Sequence, residues 1–116
     1  MKTMISLLFF IILSSSCGIC SKHDRNNPKS TWLEKHIEGA RTDGYLSVDS
    51  YRYQGDTVYL FLPPCCDRFA ELYDKNGKLI CHPSGGITGK GDGKCTDFLK
   101  KAEKINTLYD IDNEKR

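Results

Sequence analysis

Thr57-Val58-Tyr59-Leu60-Phe61-Leu62 (TVYLFL) is the stretch that decides the fold. Its β-branched and aromatic residues are typical of a strand, and turn residues bound it on both sides. Alternation along a strand places its apolar side chains on two faces: Val58, Leu60 and Leu62 on one, Tyr59 and Phe61 on the other. Because both faces are apolar, the stretch predicts a central strand with packed cover on each side.

Strand patterns continue upstream of this stretch. Residues 45–48 (YLSV) and 51–53 (YRY) predict one strand or two short ones, and Gln54-Gly55-Asp56 predicts the turn that leads into the central strand. On the downstream side, Pro63-Pro64 lacks the backbone N–H groups that a strand needs, so we expect pairing to end there.

A second hairpin is predicted further along the chain. Residues 69–73 and 78–81 flank Asp74-Lys75-Asn76-Gly77, in which Gly77 is suited to the left-handed conformation that such a turn requires.

Helices are predicted at both ends of the strand region. Thr31-Trp32-Leu33-Glu34 is a capping-box pattern, so we expect a helix to begin at Thr31 and to end near Gly44. Trp32, with Leu33 and Ile37, is expected to anchor this helix to the sheet, and ligand stacking on Trp32 is the alternative. Thr96-Asp97 is expected to cap a short second helix that carries Phe98, Leu99 and Ala102.

These elements predict an α+β fold. We expect a small antiparallel sheet of about four strands, a packed N-terminal helix, a glycine-rich loop and a short C-terminal helix, stapled by disulfides. The length of 116 residues suits a single domain, which we place at residues 31–116.

The start of the chain predicts an export signal over residues 1–16. Lys2 provides the positive start, residues 4–13 form an apolar run, and Ser14-Ser15-Ser16 are the small residues before a cleavage site. The apolar run is shorter than the ~20 residues of a membrane-spanning helix. We expect lipid attachment at Cys17, as in bacterial lipoproteins, with plain secretion as the alternative.

Residues 17–30 are expected to hold the lipid-anchor cysteine and a flexible, polar tether of about 20 Å. Gly18 follows the anchor, whereas Asp at that position often signals inner-membrane retention. The expected location is therefore the cell envelope, as an outer-membrane lipoprotein, and a secreted or periplasmic protein is the alternative. The fate of Cys20 is left open.

The charge distribution argues against a nucleic-acid partner. The formal net charge is +2 at pH 7, and opposite charges alternate in pairs such as Asp74-Lys75 and Glu103-Lys104. No basic stripe stands out along the chain.

Four cysteines lie within the predicted domain, and an extracytoplasmic compartment favours disulfides. They are Cys65, Cys66, Cys81 and Cys95. Because adjacent cysteines rarely bridge each other, two connectivities remain: Cys65–Cys81 with Cys66–Cys95, or Cys65–Cys95 with Cys66–Cys81.

Two other kinds of cysteine chemistry are alternatives to disulfides. A zinc site could use Cys65, Cys66, Cys95 and either Cys81 or His82, although the spacing within each ligand pair is unsuitable. A nucleophilic cysteine would need a free thiolate and His23, His36 or His82 as its base. We expect no metal, no cofactor and no catalytic residue.

The glycine-rich stretch from Ser84 to Lys94 (SGGITGKGDGK) is the candidate ligand loop. It matches neither a P-loop nor a dinucleotide fingerprint, because the glycines and lysines fall at the wrong spacings. Its backbone N–H groups with Lys90 and Lys94 could bind an anion. The residues assigned to this candidate loop are Gly85, Gly86, Thr88, Gly89, Lys90, Gly91, Asp92, Gly93 and Lys94.

Calcium binding is a further alternative. The turn that begins at Asp74 departs from an EF-hand loop, since Leu79 and Gly85 occupy the positions of its glycine and glutamate. A calcium site would have to pool acidic residues from across the fold: Asp67, Asp74, Asp92 and Asp97.

Several motifs resemble an uncharacterised family of small bacterial lipoproteins, a domain of unknown function. They are Pro64-Cys65-Cys66-Asp67-Arg68-Phe69, Leu72-Tyr73-Asp74 with Gly77, Ile80-Cys81 with Pro83, and residues 85–95 (GGITGKGDGKC) followed by Asp97-Phe98. The resemblance implies one compact module and a lipid anchor, and it assigns no activity. The chain departs from the family pattern near its C-terminus. It has Leu108-Tyr109-Asp110 where the sequences that it resembles end in a pattern similar to Leu-Ile-Trp-x-Asp.

These features predict a membrane-anchored binding or interaction module, and not an enzyme. Its expected partners are the membrane, through the lipid, and an envelope protein. The alternatives are a calcium- or anion-binding envelope protein and a small envelope hydrolase that uses Asp67, Asp92 or His82.

Overall fold

The chain forms a five-stranded antiparallel sheet with helices packed against it. The computed structural model describes residues 28–65 and 67–116. Its elements in chain order are α1 (Pro28–Thr42), β1 (Ser47–Tyr53), β2 (Asp56–Leu62), β3 (Glu71–Tyr73), β4 (Leu79–Cys81), α2 (Phe98–Lys101), β5 (Glu103–Asp110) and α3 (Ile111–Glu114). The strand order is β4-β3-β2-β1-β5, so the predicted central strand is central. The α+β fold class is confirmed.

Buried side chains form two clusters, and β2 contributes to both. One cluster contains Tyr53, Val58, Leu60, Ala70, Leu72, Cys81, Cys95 and Phe98. The other contains Ala40, Tyr45, Val48, Phe61 and Tyr109. Since Leu60 and Phe61 are neighbours in a strand, they point to opposite faces of the sheet. The predicted packing of both faces is therefore confirmed: α1 covers one, and the segment around Cys95 and α2 covers the other.

Helix α1 begins earlier than predicted. Its first residue is Pro28, so Thr31 lies inside the helix and the prediction of a helix start at Thr31 is wrong. Proline fits the first helical turn because the N–H group that it lacks would have no partner there. Residues 1–27, with the predicted signal, the lipidation site Cys17 and most of the tether, lie outside the described residues.

The C-terminal end of α1 agrees with the prediction at Gly44. This glycine has a φ of 73°, the Tyr45 N–H donates to Ala40 O at 2.8 Å, and the Gly44 N–H donates to Arg41 O at 3.2 Å. This pair of bonds is a Schellman motif, which ends a helix with a left-handed residue. It turns the chain so that Tyr45 and Ala40 enter the same buried cluster.

Both hairpins turn where predicted, except that Asp56, predicted in the first turn, is the first residue of β2 and pairs with Tyr53. Gln54 and Gly55 connect β1 to β2 with φ values of 51° and 81°, as a two-residue turn with two left-handed positions requires. In the β3–β4 turn, one carboxylate oxygen of Asp74 accepts the N–H groups of Asn76 at 2.8 Å and Lys78 at 3.0 Å. Gly77 is left-handed there, with a φ of 87°.

The fifth strand goes beyond the predicted sheet of about four strands. β5 pairs with β1, and register shifts leave Ile105 and Leu108 without a partner residue on β1. The side chain of Asp49, on β1, accepts a hydrogen bond from Thr107 Oγ1 at 2.7 Å and forms an ion pair with Lys104 Nζ at 2.8 Å. A polar cluster around a buried carboxylate therefore holds this edge strand to the sheet.

The short helix α2 also differs in detail from the prediction. Asp97 occupies its N-cap position, but the side chain makes no capping hydrogen bond. It accepts instead from Tyr53 Oη at 2.6 Å and forms an ion pair with Lys101 Nζ at 3.0 Å. Asp97 thus ties α2 to β1, and Phe98 next to it is fully buried. No helix among the described residues is long and apolar enough to cross a membrane.

Candidate functional site

The disulfide pairing corrects the prediction. Cys81 is bonded to Cys95, with a Cα–Cα distance of 6.2 Å. Cys65 is also disulfide-bonded, and Cys66 lies outside the described residues. Both predicted connectivities are therefore wrong. They followed from excluding any pairing of neighbouring cysteines, and that exclusion also removed the one connectivity that joins Cys81 to Cys95.

The zinc and nucleophile hypotheses do not fit this oxidised pair. Both sulfurs of the bridge are already bonded, so Cys81 and Cys95 supply neither a thiolate ligand nor a nucleophile. Among residues 28–65 and 67–116, no group of three or more His, Cys, Asp and Glu side chains is arranged to hold a metal ion.

The glycine-rich loop, residues 84–94, closes on itself through backbone hydrogen bonds. The Gly85 N–H donates to Gly89 O at 3.3 Å, and the Gly91 N–H donates to Gly85 O at 3.1 Å. The Gly89 N–H donates to Gly86 O at 3.0 Å. All four of these glycines have positive φ values, which a residue with a Cβ rarely adopts.

Asp92 links the loop to the segment that follows β4. Its carboxylate accepts the backbone N–H groups of Lys94 and His82, each at 3.0 Å, and the Asp92 N–H donates to His82 O at 3.0 Å. The bond from Lys94 is the largest influence on the pKa of Asp92, which lies below its ordinary value. Gly91 packs so closely on the His82 carbonyl that a side chain there would overlap it. Asp92 therefore has a structural role in the loop.

The other candidate ligand residues lie on the outside of the loop. The Lys90 N–H donates to Thr88 Oγ1 at 3.4 Å, and the side chains of Lys90 and Lys94 are exposed. Gly93 is also exposed, with a φ of 78°. Since six N–H groups of this loop donate to groups of the chain itself, its backbone has fewer donors to offer an anion.

An apolar surface lies beside the loop. The Phe69 ring packs on Gly86, where an added Cβ would come within 2.6 Å of Phe69 Cε1, and its centroid is 5.2 Å from that of His82. Ile87, at the outside of the loop, is 96% exposed, and Phe69 is 43% exposed. A groove of about 350 Å³ runs between Phe69, Ile87 and Asp67. The loop thus presents an uncovered apolar side chain on a hydrogen-bonded support.

The four aspartates of the calcium hypothesis are engaged in different places. Asp74 accepts hydrogen bonds within the β3–β4 turn, Asp92 within the glycine-rich loop, and Asp97 from Tyr53 of β1. Asp67 lines the groove beside Ile87. Three of these carboxylates have separate local partners, and no group of three or more His, Cys, Asp and Glu side chains in the described ranges could hold a metal ion, so the structure gives no common centre for them.

Trp32 has the structural role that was predicted for it. Its indole Nε1 donates to Lys75 O at 3.2 Å, and its ring packs edge-on against Tyr59, with centroids 5.6 Å apart. Leu33 and Ile37 pack against the second buried cluster. The anchoring of α1 by these three residues is confirmed.

A cleft between α1 and the sheet was missed by sequence reasoning. It has a volume of about 260 Å³ and is bounded by Gly39 and Asp43 of the α1 region, by Phe61 and by Glu71. Glycine inside a helix costs about 1 kcal/mol relative to alanine, yet a Cβ at residue 39 would meet nothing within 4 Å. This unexplained helical glycine is the signal that could have pointed to the cleft.

A family model described as a domain of unknown function (DUF6970) matches residues 34–111, and the chain belongs to that family. The matched range includes all five strands, the disulfide and the glycine-rich loop. No curated protein and no solved structure matches the chain. The predicted membership in an uncharacterised domain family is confirmed at this level, and the lipoprotein character of that family stays a prediction.

Proposed function

We propose that this protein is a lipid-anchored extracytoplasmic module that binds an envelope protein through the glycine-rich loop, and that it is not an enzyme. The single observation that carries this proposal is the 96% exposure of Ile87 on a loop fixed by internal hydrogen bonds. A rigid loop loses little conformational entropy on binding, so an exposed apolar anchor on such a loop is well suited to recognition.

The surroundings of Ile87 define the chemistry of the partner. Phe69 extends the apolar surface beneath the loop, and the same loop carries the exposed side chains of Lys90 and Lys94. A complementary surface would have an apolar recess for Ile87 and carboxylates at its rim. The proposed partner is therefore a protein of the cell envelope with an acidic rim around an apolar pocket.

The location rests on the sequence. The apolar run at residues 4–13 and the serines before Cys17 support export and lipidation, and Gly18 after the anchor favours the outer membrane. The Cys81–Cys95 bridge suits a compartment in which disulfides persist. Replacing Cys17 with Ser and labelling cells with a palmitate analogue tests the anchor. We expect the label and membrane association to be lost, and retention of both would contradict it.

The binding surface is tested by site-specific photocrosslinking in intact cells with the full chain. A photoreactive amino acid at position 87 is expected to give an adduct with one envelope protein, while the same probe at exposed Gln54, in the β1–β2 turn, does not. The charge-reversed pair Lys90→Glu and Lys94→Glu should abolish the adduct.

A second measurement uses the purified partner identified by that adduct. Ile87→Asp should weaken its binding to the full chain by roughly tenfold or more, equivalent to about 1.4 kcal/mol. Equal adducts from positions 87 and 54, or unchanged affinity of the Ile87→Asp variant, would rule out this surface.

A further inference from the structure

The cleft between α1 and the sheet has room for a small ligand group. Gly39 and Ala40 of α1 form one side, and the buried rings of Tyr45 and Phe61 form the floor. A Cβ at residue 39 would meet no atom within 4 Å, so helix packing gives no reason for a glycine at this position. The effect of the missing side chain is to leave the cleft open along the exposed face of α1.

The rings of this cleft belong to an aromatic system that already holds a cation. The guanidinium carbon of Arg68 lies 4.9 Å from the centroid of the Tyr45 ring, and Arg68 Nη2 donates to Tyr45 Oη at 3.3 Å. Phe61 packs edge-on against Tyr45, with centroids 6.4 Å apart, and against Tyr73 at 5.2 Å. Aromatic surfaces of this kind attract ammonium and guanidinium groups.

The charged groups at the cleft are predominantly acidic. Asp43 and Glu71 bring two carboxylates and Lys35 brings one ammonium, so the lining residues carry a formal charge of −1. The guanidinium of Arg68, on the Tyr45 ring, is not part of this lining. The Glu71 carboxylate is held in place by Tyr73 Oη, which donates to its Oε2 at 2.8 Å. Burial is the main reason that the pKa of Tyr45 is raised; the negative charges of Glu71 and Asp43 add to the rise, and the positive charge of Arg68 opposes it.

We propose that this cleft binds a small organic cation, an alkylammonium or guanidinium group, between its aromatic floor and the carboxylates of Asp43 and Glu71. The combination of volume, aromatic surface and the two carboxylates of Asp43 and Glu71 favours a cation with an apolar body over an anion of the same size. This site is independent of the partner surface around Ile87, because the two share no lining residue.

The test is a titration of the ¹⁵N-labelled full chain in a nonionic detergent, followed by NMR. The probe is n-butylammonium, and n-butyrate is the anion of matched size. We expect saturable shifts of the Gly39 and Phe61 amide signals with n-butylammonium, and none with n-butyrate. Equal shifts with both probes, or no saturable shift with n-butylammonium, would overturn the proposal.

Variants of the lining residues test the contribution of charge to binding separately from the contribution of the open volume of the cleft. Glu71→Gln should weaken n-butylammonium binding by roughly fivefold to tenfold, while Lys35→Gln should not weaken it, since the carboxylate of Glu71 attracts the cationic probe and the ammonium of Lys35 repels it. Gly39→Leu should abolish binding by filling the cleft, and its thermal unfolding should show that the fold is retained. Wild-type affinity in either Glu71→Gln or Gly39→Leu would refute the site.

The Gly39→Leu variant also distinguishes cation binding in the cleft from partner binding at the glycine-rich loop. Gly39→Leu should leave the photocrosslink from position 87 unchanged, because Ile87 and Gly39 line different surfaces. A loss of n-butylammonium binding with the crosslink intact supports the cleft by itself. A failure of the crosslink would not alter the titration.

Discussion

The indole ring of Trp32 lies so close to Gly77 that a Cβ atom at residue 77 would come within 2.7 Å of Trp32 Cδ2. The same indole donates from Nε1 to Lys75 O at 3.2 Å, so α1 is attached to the β3–β4 turn by both packing and a hydrogen bond. The edge hairpin of the sheet thus depends on a glycine for two reasons, its left-handed backbone and the space that the ring occupies.

We predict that Gly77→Ala destabilises the protein by about 2 kcal/mol or more, because the methyl group adds a clash with Trp32 to the cost of a left-handed backbone. Gly55→Ala is the matched control. Residue 55 has a φ of 81° with nothing within 4 Å of an added Cβ, so this variant should lose only about 1 kcal/mol. Chemical denaturation measures both, and equal losses would show that contact with the ring contributes nothing.

We predict that tryptic digestion without reduction links the peptide Leu79–Lys90 to the peptide Cys95–Lys100, since these carry Cys81 and Cys95. Mass spectrometry would identify the linked pair. Either connectivity expected from the sequence would instead link both peptides to the fragment Tyr53–Arg68, which carries Cys65 and Cys66. That result would contradict the structure.

The same bridge should contribute about 3 kcal/mol to stability, the value for a closed loop of roughly 15 residues in the chain-entropy model. Its two cysteines are 14 positions apart. The double variant Cys81→Ser and Cys95→Ser should show this loss in chemical denaturation under non-reducing conditions.

We predict that Lys104→Met destabilises the protein by about 1 to 2 kcal/mol, because it leaves the buried carboxylate of Asp49 without its counter-charge. Asp49 is 6% exposed, whereas the Lys104 side chain is 49% exposed, and water therefore screens part of the interaction. In Asp49→Asn the buried charge is absent, so adding Lys104→Met should cost little. Additive losses in this double-mutant cycle would show that the two residues do not interact.

We predict that Tyr53→Phe changes the pH dependence of stability at both ends of the range. The hydrogen bond from Tyr53 is the largest reason that the pKa of Asp97 lies below its ordinary value of 3.8, and the same bond raises the pKa of Tyr53 above 10.0. A carboxylate with a lowered pKa stabilises the fold above 3.8, and this stabilisation is lost as the pH falls further.

The contribution of Tyr53 to stability has the opposite dependence on pH. Its contribution is full below pH 10.0 and is lost as the pH rises through its raised pKa. The Phe variant should therefore lose less stability than the wild type when acidified below pH 3.8 and when taken above pH 10.0. Denaturant titrations across pH would measure this, and parallel curves for the two proteins would contradict it.

Local patterns predicted much of the sheet. The apolar residues of β2 alternate and cover both faces, and Gly44, Gly55 and Gly77 lie at turns that require left-handed backbone. β5 was not predicted as a full strand, because its bulges interrupt alternation and leave Ile105 and Leu108 partly exposed. Such an edge strand has the composition of a surface segment, and the contacts of its Thr107 and Lys104 with the buried Asp49 on β1 are not visible in a local pattern.

Sites that join distant segments could not be predicted from local patterns. The glycine-rich loop was identified from its composition, but the structural role of Asp92 depends on contact with His82. The cleft combines Gly39 of α1 with Phe61 of β2 and Glu71 of β3. Each of these residues has an ordinary role in its own element, so only the tertiary arrangement shows that they share a surface.

The two bulges in β5 have a consequence for how copies of this protein behave when they are concentrated. A regular exposed strand can pair with the same strand of another copy and so begin an ordered aggregate. Here the edge strand β5 is irregular at Ile105 and Leu108, and the opposite edge strand, β4, has only three residues. Neither edge of the sheet is a good template for strand addition, so we expect the sheet to remain five strands wide even at high local concentration of the protein.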